Sequence, residues 1–147
     1  FYGVYDQDEL AGLVYNVHYK DIIYISYLAV DDTKRGSGYG SRILQTIQKK
    51  YSDSRIFLCI EEMDPNAENY EQRVRRKAFY ESNGFKMLPF QVKEGIVMYD
   101  AMCVADREPE ITRKECDELM KHYFGMWTFV IYVKKYTDKI VELFEKK

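Results

Sequence analysis

Two short stretches hold the residue types that could bind and process an anion. The first is Arg35, Gly36, Ser37, Gly38, Tyr39, Gly40, Ser41. It lies between an apolar run, Tyr27 to Val30, that reads as a strand and a segment whose apolar residues Ile43, Leu44, Ile47 and Tyr51 recur at helical spacing. A strand, a glycine-rich turn and a helix start in that order can cradle a phosphate. The first N–H groups of a helix lack intrahelical partners, the helix dipole favours negative charge there, and glycine lets the backbone come close. Arg35 adds a forked charge beside it. The second stretch is Arg73, Arg76 and Tyr80, which share one face of an expected helix. Two guanidiniums and a phenol on one face suit an anionic ligand that also needs a proton. Each stretch has a plainer reading. The first could be a hairpin or capping loop that uses glycine only for its dihedrals. The second could be a solvated basic face paired with Glu71 or Glu81.

Spacing narrows the anion. Gly40 is followed by Ser41 and Arg42 rather than by Lys and Ser or Thr, so the loop does not match that of a nucleoside triphosphatase. Gly36, Gly38 and Gly40 are spaced G-x-G-x-G, which is not the dinucleotide fingerprint G-x-G-x-x-G. What fits is R-x-x-G-x-G on Arg35, Gly38 and Gly40, directly after the strand YLAV. This resembles the coenzyme A signature of the GCN5-related N-acetyltransferases, the GNAT superfamily. Further along, Phe79, Tyr80, Gly84 and Phe85 are similar to that family's helix ending in a tyrosine, a polar stretch and Gly-Phe. The two motifs stand in the family's order, and with the strands they cover roughly residues 1–104.

The resemblance implies an α/β (α+β) fold with a mixed, mostly antiparallel central sheet flanked by helices. The family's first strand and the two helices after it are absent or lie before Phe1. It implies an acetyl-CoA-dependent N-acetyltransferase, with acetyl-CoA as co-substrate and direct transfer to a primary amine. The pantetheine arm would lie along Leu28, Ala29 and Val30, and the pyrophosphate on the amides of Gly36, Ser37, Gly38, Tyr39, Gly40 and Ser41 beside Arg35. Tyr80 would be the acid that protonates the leaving sulfur. Arg73 and Arg76 are grouped with the cofactor contacts, and the adenosine 3′-phosphate is expected near Lys34 or Arg73. Two departures stand out. Arg73 occupies a position where many relatives carry an asparagine. The central-strand glutamate that serves some members as general base has no counterpart among Tyr24, Ser26 and Leu28. Glu61 on the next strand is then the candidate base, working through water, or it is an ordinary strand-end charge. A non-catalytic module that binds acyl-CoA or a partner is the alternative function. The acceptor, a small molecule or a peptide, has no readable code, although Asp64 and Glu68 hint at a cation.

Positioning these residues takes a particular run of elements. A short strand around Val4 and Tyr5, a strand Leu10 to Tyr19, a turn at Lys20 and Asp21, and a strand Ile22 to Val30 make a meander. After the first helix come a strand Arg55 to Glu62, a helix Ala67 to Asn83 ended by Gly84, and a hairpin Phe85 to Phe90 with Ile96 to Val104. From Ala105 the chain changes character. A charged linker leads to a capping box on Thr112 and Glu115, a helix carrying Cys116, Leu119, Met120 and Tyr123, and an apolar segment, Trp127 to Val133, that leans to helix. This gives a core of 1–104 and a mainly helical extension of 105–147 that packs on the core or joins a second copy.

Composition sets outer bounds. A chain of 147 residues has the length of one domain. Its net charge of −2 argues against a general nucleic-acid surface, and its 14 Tyr and 8 Phe fall at core-like positions. Cys59, Cys103 and Cys116 form no C-x-x-C pair and fit a reducing cytoplasm, and His18 and His122 lack metal-ligand spacing. No metal and no membrane partner is expected.

Overall fold

The computed structural model describes residues 2–94 and 96–125. The order is β1 (Tyr2–Asp6), β2 (Glu9–Tyr19), β3 (Ile22–Val30), a 3-10 turn (Asp32–Lys34), α1 (Tyr39–Lys50), β4 (Arg55–Glu61), α2 (Tyr70–Ser82), β5 (Phe85–Glu94) and β6 (Val97–Val104). A further helix, α3, spans 113–125. Six strands form one sheet in the order β1-β2-β3-β4-β6-β5. All neighbours are antiparallel except β3 and β4, which gives the mixed, mostly antiparallel sheet that the sequence implied. The sheet, α1 and α2 belong to the unit 1–113, and a second unit begins at Lys114. In α3, Cys116, Leu119 and Met120 are buried. The readings of Trp127 to Val133 and of a dimer made through the end of the chain fall largely outside the described residues.

Alternation along the strands sends one set of side chains to the face that α1 covers. Val14, Ile23, Ile25, Ile56, Leu58, Ile60, Met102 and Val104 meet Ile43, Leu44 and Ile47 of α1 in one apolar cluster. The helical spacing of those three α1 residues is what holds the helix on the sheet, since burial of an apolar stripe, rather than propensity, stabilises a helix of this length.

Several boundaries differ from the sequence reading, and two of the differences have a clear local reason. Helix α2 begins at Tyr70 rather than Ala67 because Asp64 caps a run of turns: its carboxylate accepts from the Asn66 amide at 2.9 Å and its carbonyl from the Ala67 amide at 3.1 Å. Strand β5 runs past Phe90 to Glu94, because Pro89 falls in an irregular stretch between Met87 and Gln91, where no ladder donor is required. Strand β4 ends at Glu61, one residue early. Among the described residues no helix is long and apolar enough to cross a membrane, and no cluster could hold a metal ion.

The packing makes a direct prediction. Leu44 is wholly buried, so Leu44→Ala should destabilise the fold by about 2–5 kcal/mol in urea denaturation. Gln45→Ala, on the exposed side of the same helix, should stay within about 0.5 kcal/mol of the parent.

Candidate functional site

Strands β3 and β4 run side by side and then part. Their parallel pairing extends only from Ile22 opposite Arg55 to Ile25 opposite Leu58. Beyond that, β3 continues to Val30 with β2 beside it, while β4 continues to Glu61 paired with β6. The β4-facing side of β3 over Tyr27 to Val30 therefore has no strand neighbour among the described residues. The closed end is fixed by Arg55, whose side chain is buried and donates to both carboxylate oxygens of Asp21, at 2.7 and 2.9 Å, while its amide donates to the Asp21 carbonyl at 2.9 Å. At the open end Ser26 is an extra residue in the β2–β3 ladder, since Tyr15 faces Tyr27 and Asn16 faces Ile25. A bulge of this kind increases local twist and bends the strand, which turns the last third of β3 away from β4. The V opens at the carboxyl ends of the parallel strands, where α/β sheets bind ligands.

The glycine-rich loop stands at that opening. It is pinned from behind: the Asp31 amide donates to Ala11 at 2.9 Å, and Lys34 reaches Glu9 at 3.0 Å and Asp6 at 3.3 Å. Lys34, suggested from the sequence for a 3′-phosphate, is thus committed to the β1–β2 hairpin. Gly36 and Gly38 both have φ of 79°, and a Cβ on either would meet nothing within 4 Å. They are glycines for their left-handed backbone, and the space above them is open. The amides of Gly36, Ser37, Gly38, Tyr39, Gly40 and Ser41 make no hydrogen bond among the described residues, and the α1 ladder starts with the Arg42 amide on Gly38 at 3.0 Å. Gly38 provides no side-chain cap, and the first turn of α1 has no acidic residue. A helix serving only structure would normally satisfy some of these donors. Arg35 pairs with Asp32 at 2.6 Å, but both are well exposed, so the guanidinium can exchange this partner for an anion at small cost.

Gly40 has a different reason. A Cβ there would lie 2.9 Å from the ring of Phe79, so this glycine lets α2 press against the first turn of α1. Phe79 touches Tyr80, with ring centroids 5.2 Å apart, and Tyr80 packs edge-on to Phe85 at 5.8 Å. Tyr80 is partly buried, and its hydroxyl makes no hydrogen bond among the described residues. Burial pushes its pKa above the ordinary 10.0, with Arg76 pulling down and Glu61 pushing up.

Glu61 and the two arginines meet at the end of β4. Arg76 forms an ion pair with one carboxylate oxygen of Glu61, and Asn69 donates to the other at 3.3 Å. Arg73 donates to Asn69 at 2.8 Å and to the backbone carbonyl of Glu62 at 2.6 Å. Arg73, Arg76 and Tyr80 do share a helix face, as read from spacing, but the guanidiniums turn to β4. Glu81, one partner considered for them, instead takes Lys77 at 2.9 Å. Asn69, Phe79 in its role against Gly40, and the Asp21–Arg55 pair were not singled out from the sequence. Only the last had a readable trace, a charged pair flanking two strands. Beside the cradle, a groove of about 350 Å³ between β1 and α1 shares Tyr39 with it over an apolar floor of Val14, Ile43 and Ile47.

The profile of the acetyltransferase (GNAT) domain matches residues 1–87. No curated protein matches the chain. Among solved structures, a GNAT-family protein from Bacteroides thetaiotaomicron is similar with a TM-score of 0.60 and 23% identity, covering 82% of this chain and 67% of that one. An aminoglycoside 6′-N-acetyltransferase gives 0.55 and 19%, covering 74% and 73%. The ribosomal-protein-S18-alanine N-acetyltransferase of Escherichia coli gives 0.53 and 16%, covering 75% and 72%. The chain belongs to the GNAT acetyltransferase family.

The contact at Gly40 can be tested alone. Gly40→Ala should lose about 1–3 kcal/mol of stability, and Phe79→Leu in the same chain should return part of it, read by thermal denaturation of the single and double variants.

Proposed function

We propose that this protein is an N-acetyltransferase that takes its acyl group from acetyl-CoA and passes it directly to a primary amine of a small molecule or peptide. The observation that carries this reading is the row of unpartnered amides from Gly36 to Ser41 at the open end of the β3–β4 splay. Such a row suits a pyrophosphate. The unpaired edge at Leu28, Ala29 and Val30 suits the amide-bearing pantetheine arm, which can add to the sheet as an extra strand would. Support also comes from relatives, since the aminoglycoside 6′-N-acetyltransferase and an acetyltransferase of Bacillus subtilis were each crystallised with coenzyme A.

Bound acetyl-CoA would supply an activated thioester carbonyl. In the proposed reaction the amine attacks that carbon, a C–N bond forms and the C–S bond breaks. The phenol of Tyr80, kept protonated by its raised pKa, gives its proton to the departing sulfur. Glu61 has both oxygens engaged by Arg76 and Asn69, so it serves better as an ion-pair partner than as a base. The amine then sheds its proton to water, and the Tyr80 phenolate takes one back from water, which restores the acid. That same engagement of Glu61 favours a second reading, a GNAT-fold module that binds acyl-CoA without turnover.

Thiol release from acetyl-CoA over a panel of amines separates the two readings, because only an enzyme gives amine-dependent release. Tyr80→Phe should lower kcat by about 10²-fold while leaving coenzyme A affinity unchanged. The pH profile follows from the sign of the shift. The acid form of Tyr80 is the active one and its pKa is raised above 10.0, so the alkaline limb that Tyr80 sets should lie above that value, while protonation of the acceptor amine sets the acid limb. A limb below 10.0 that disappears in Tyr80→Phe would contradict the assignment.

A further inference from the structure

We propose that Asn69, Arg73 and Arg76 form a polar clamp that fixes the front half of α2 to the end of β4 and thereby positions Tyr80. On this account the two arginines are positioning residues, not coenzyme A ligands. The inference rests on the reading of Tyr80 as the acid. Helix α2 has 13 residues and buries none of them fully. Its apolar anchors, Phe79 and Tyr80, both lie in its last turns and pack against the core cluster. Among the described residues that pack against that cluster, none comes from the first two turns of α2, where Val74 is exposed. What holds them is a closed chain of polar contacts. Arg76 and Asn69 take the two oxygens of Glu61, Asn69 accepts from Arg73, and Arg73 reaches the Glu62 carbonyl. Both polar atoms of the Asn69 side chain are used, so the links are coupled and loss of one weakens the next.

The consequence for the site is geometric. Strand β4 is one arm of the V, unpaired with β3 beyond Leu58, and the clamp ties α2 to the tip of that arm. The far half of α2 is tied through Phe79 to Gly40 at the start of α1. Helix α2 therefore braces the two sides of the opening, and Tyr80 sits one residue from the second brace. A guanidinium spent on Glu61 would have to break that pair to reach a phosphate, and the helix would lose its forward support. The charged groups that face Tyr80 are Arg76 from its own helix and Glu61 from β4, and β5 offers the ring of Phe85.

The test uses Arg76→Gln, Arg76→Lys, Glu61→Gln and the double variant Arg76→Gln/Glu61→Gln. Amide hydrogen exchange across α2, measured on the unliganded protein, should quicken about tenfold in Arg76→Gln and stay near the parent in Arg76→Lys. With acetyl-CoA and an accepted amine, Arg76→Gln should lower kcat about tenfold while KM for acetyl-CoA and affinity for coenzyme A change less than about twofold. The double variant should be no worse than the poorer single one, the mark of two residues acting as a unit. Unchanged exchange in α2 overturns the clamp. So does a loss of about tenfold or more in coenzyme A affinity, which would make Arg76 a ligand. If the parent neither binds coenzyme A nor acetylates any amine, the functional reading fails, and the exchange data still decide the clamp.

Discussion

The short parallel contact between β3 and β4 is the constraint on which the rest of this molecule depends. Asp21 and Arg55 fasten the strands at one end through a two-pronged ion pair with a buried guanidinium, and the bulge at Ser26 prises them apart at the other. Neither feature alone would make a site. A sheet fastened throughout would bury the edge at Leu28, Ala29 and Val30, and one without the fastening would have no reason to hold a fixed opening. Burial makes the closed end hard to give up, since a guanidinium left without its carboxylate inside a protein is costly.

The helices inherit their duties from this V. Helix α1 leaves the β3 arm and presents its uncapped amides over the opening, and its apolar stripe presses it to the sheet so that those amides stay aimed. Helix α2 leaves the β4 arm and returns to touch α1 where Gly40 makes room for Phe79. The phenol of Tyr80 is thereby held beside two opposite charges in a mostly apolar setting, which keeps it protonated. Solved structures named for acceptors as different as an aminoglycoside and a ribosomal protein share this fold at identities below 25%, so the fold by itself names no acceptor.

Much of this was legible in the chain. Period-two alternation in Leu13, Tyr15, Val17 and Tyr19 and helical spacing in Ile43, Leu44 and Ile47 located their elements, although β2 buries residues on both sides, Val14 and Asn16 as well as Val17. Gly36 and Gly38 marked the loop before α1, since a left-handed backbone at a helix entrance nearly demands glycine. What escaped was whatever depends on distant partners. The bulge at Ser26 is a property of the β2–β3 register, not of Ser26. Gly40 looked like Gly36 and Gly38, yet answers to a ring on another helix. Arg73 and Arg76 carried the right charge for a phosphate, and only the fold reveals Glu61 and the Glu62 carbonyl within reach. A side chain's type states what it can bind, and its neighbours decide what it does.

The central claim is that the backbone amides between Gly36 and Ser41 are donors held ready for a diphosphate. Backbone ¹⁵N–¹H spectra recorded as coenzyme A is added test it most directly. The account predicts saturable shifts concentrated on residues 36–41 and along Leu28 to Val30, reproduced in part by 3′,5′-ADP without the pantetheine arm at the loop alone. Spectra in which these amides stay in place while coenzyme A binds elsewhere, or does not bind, would contradict it.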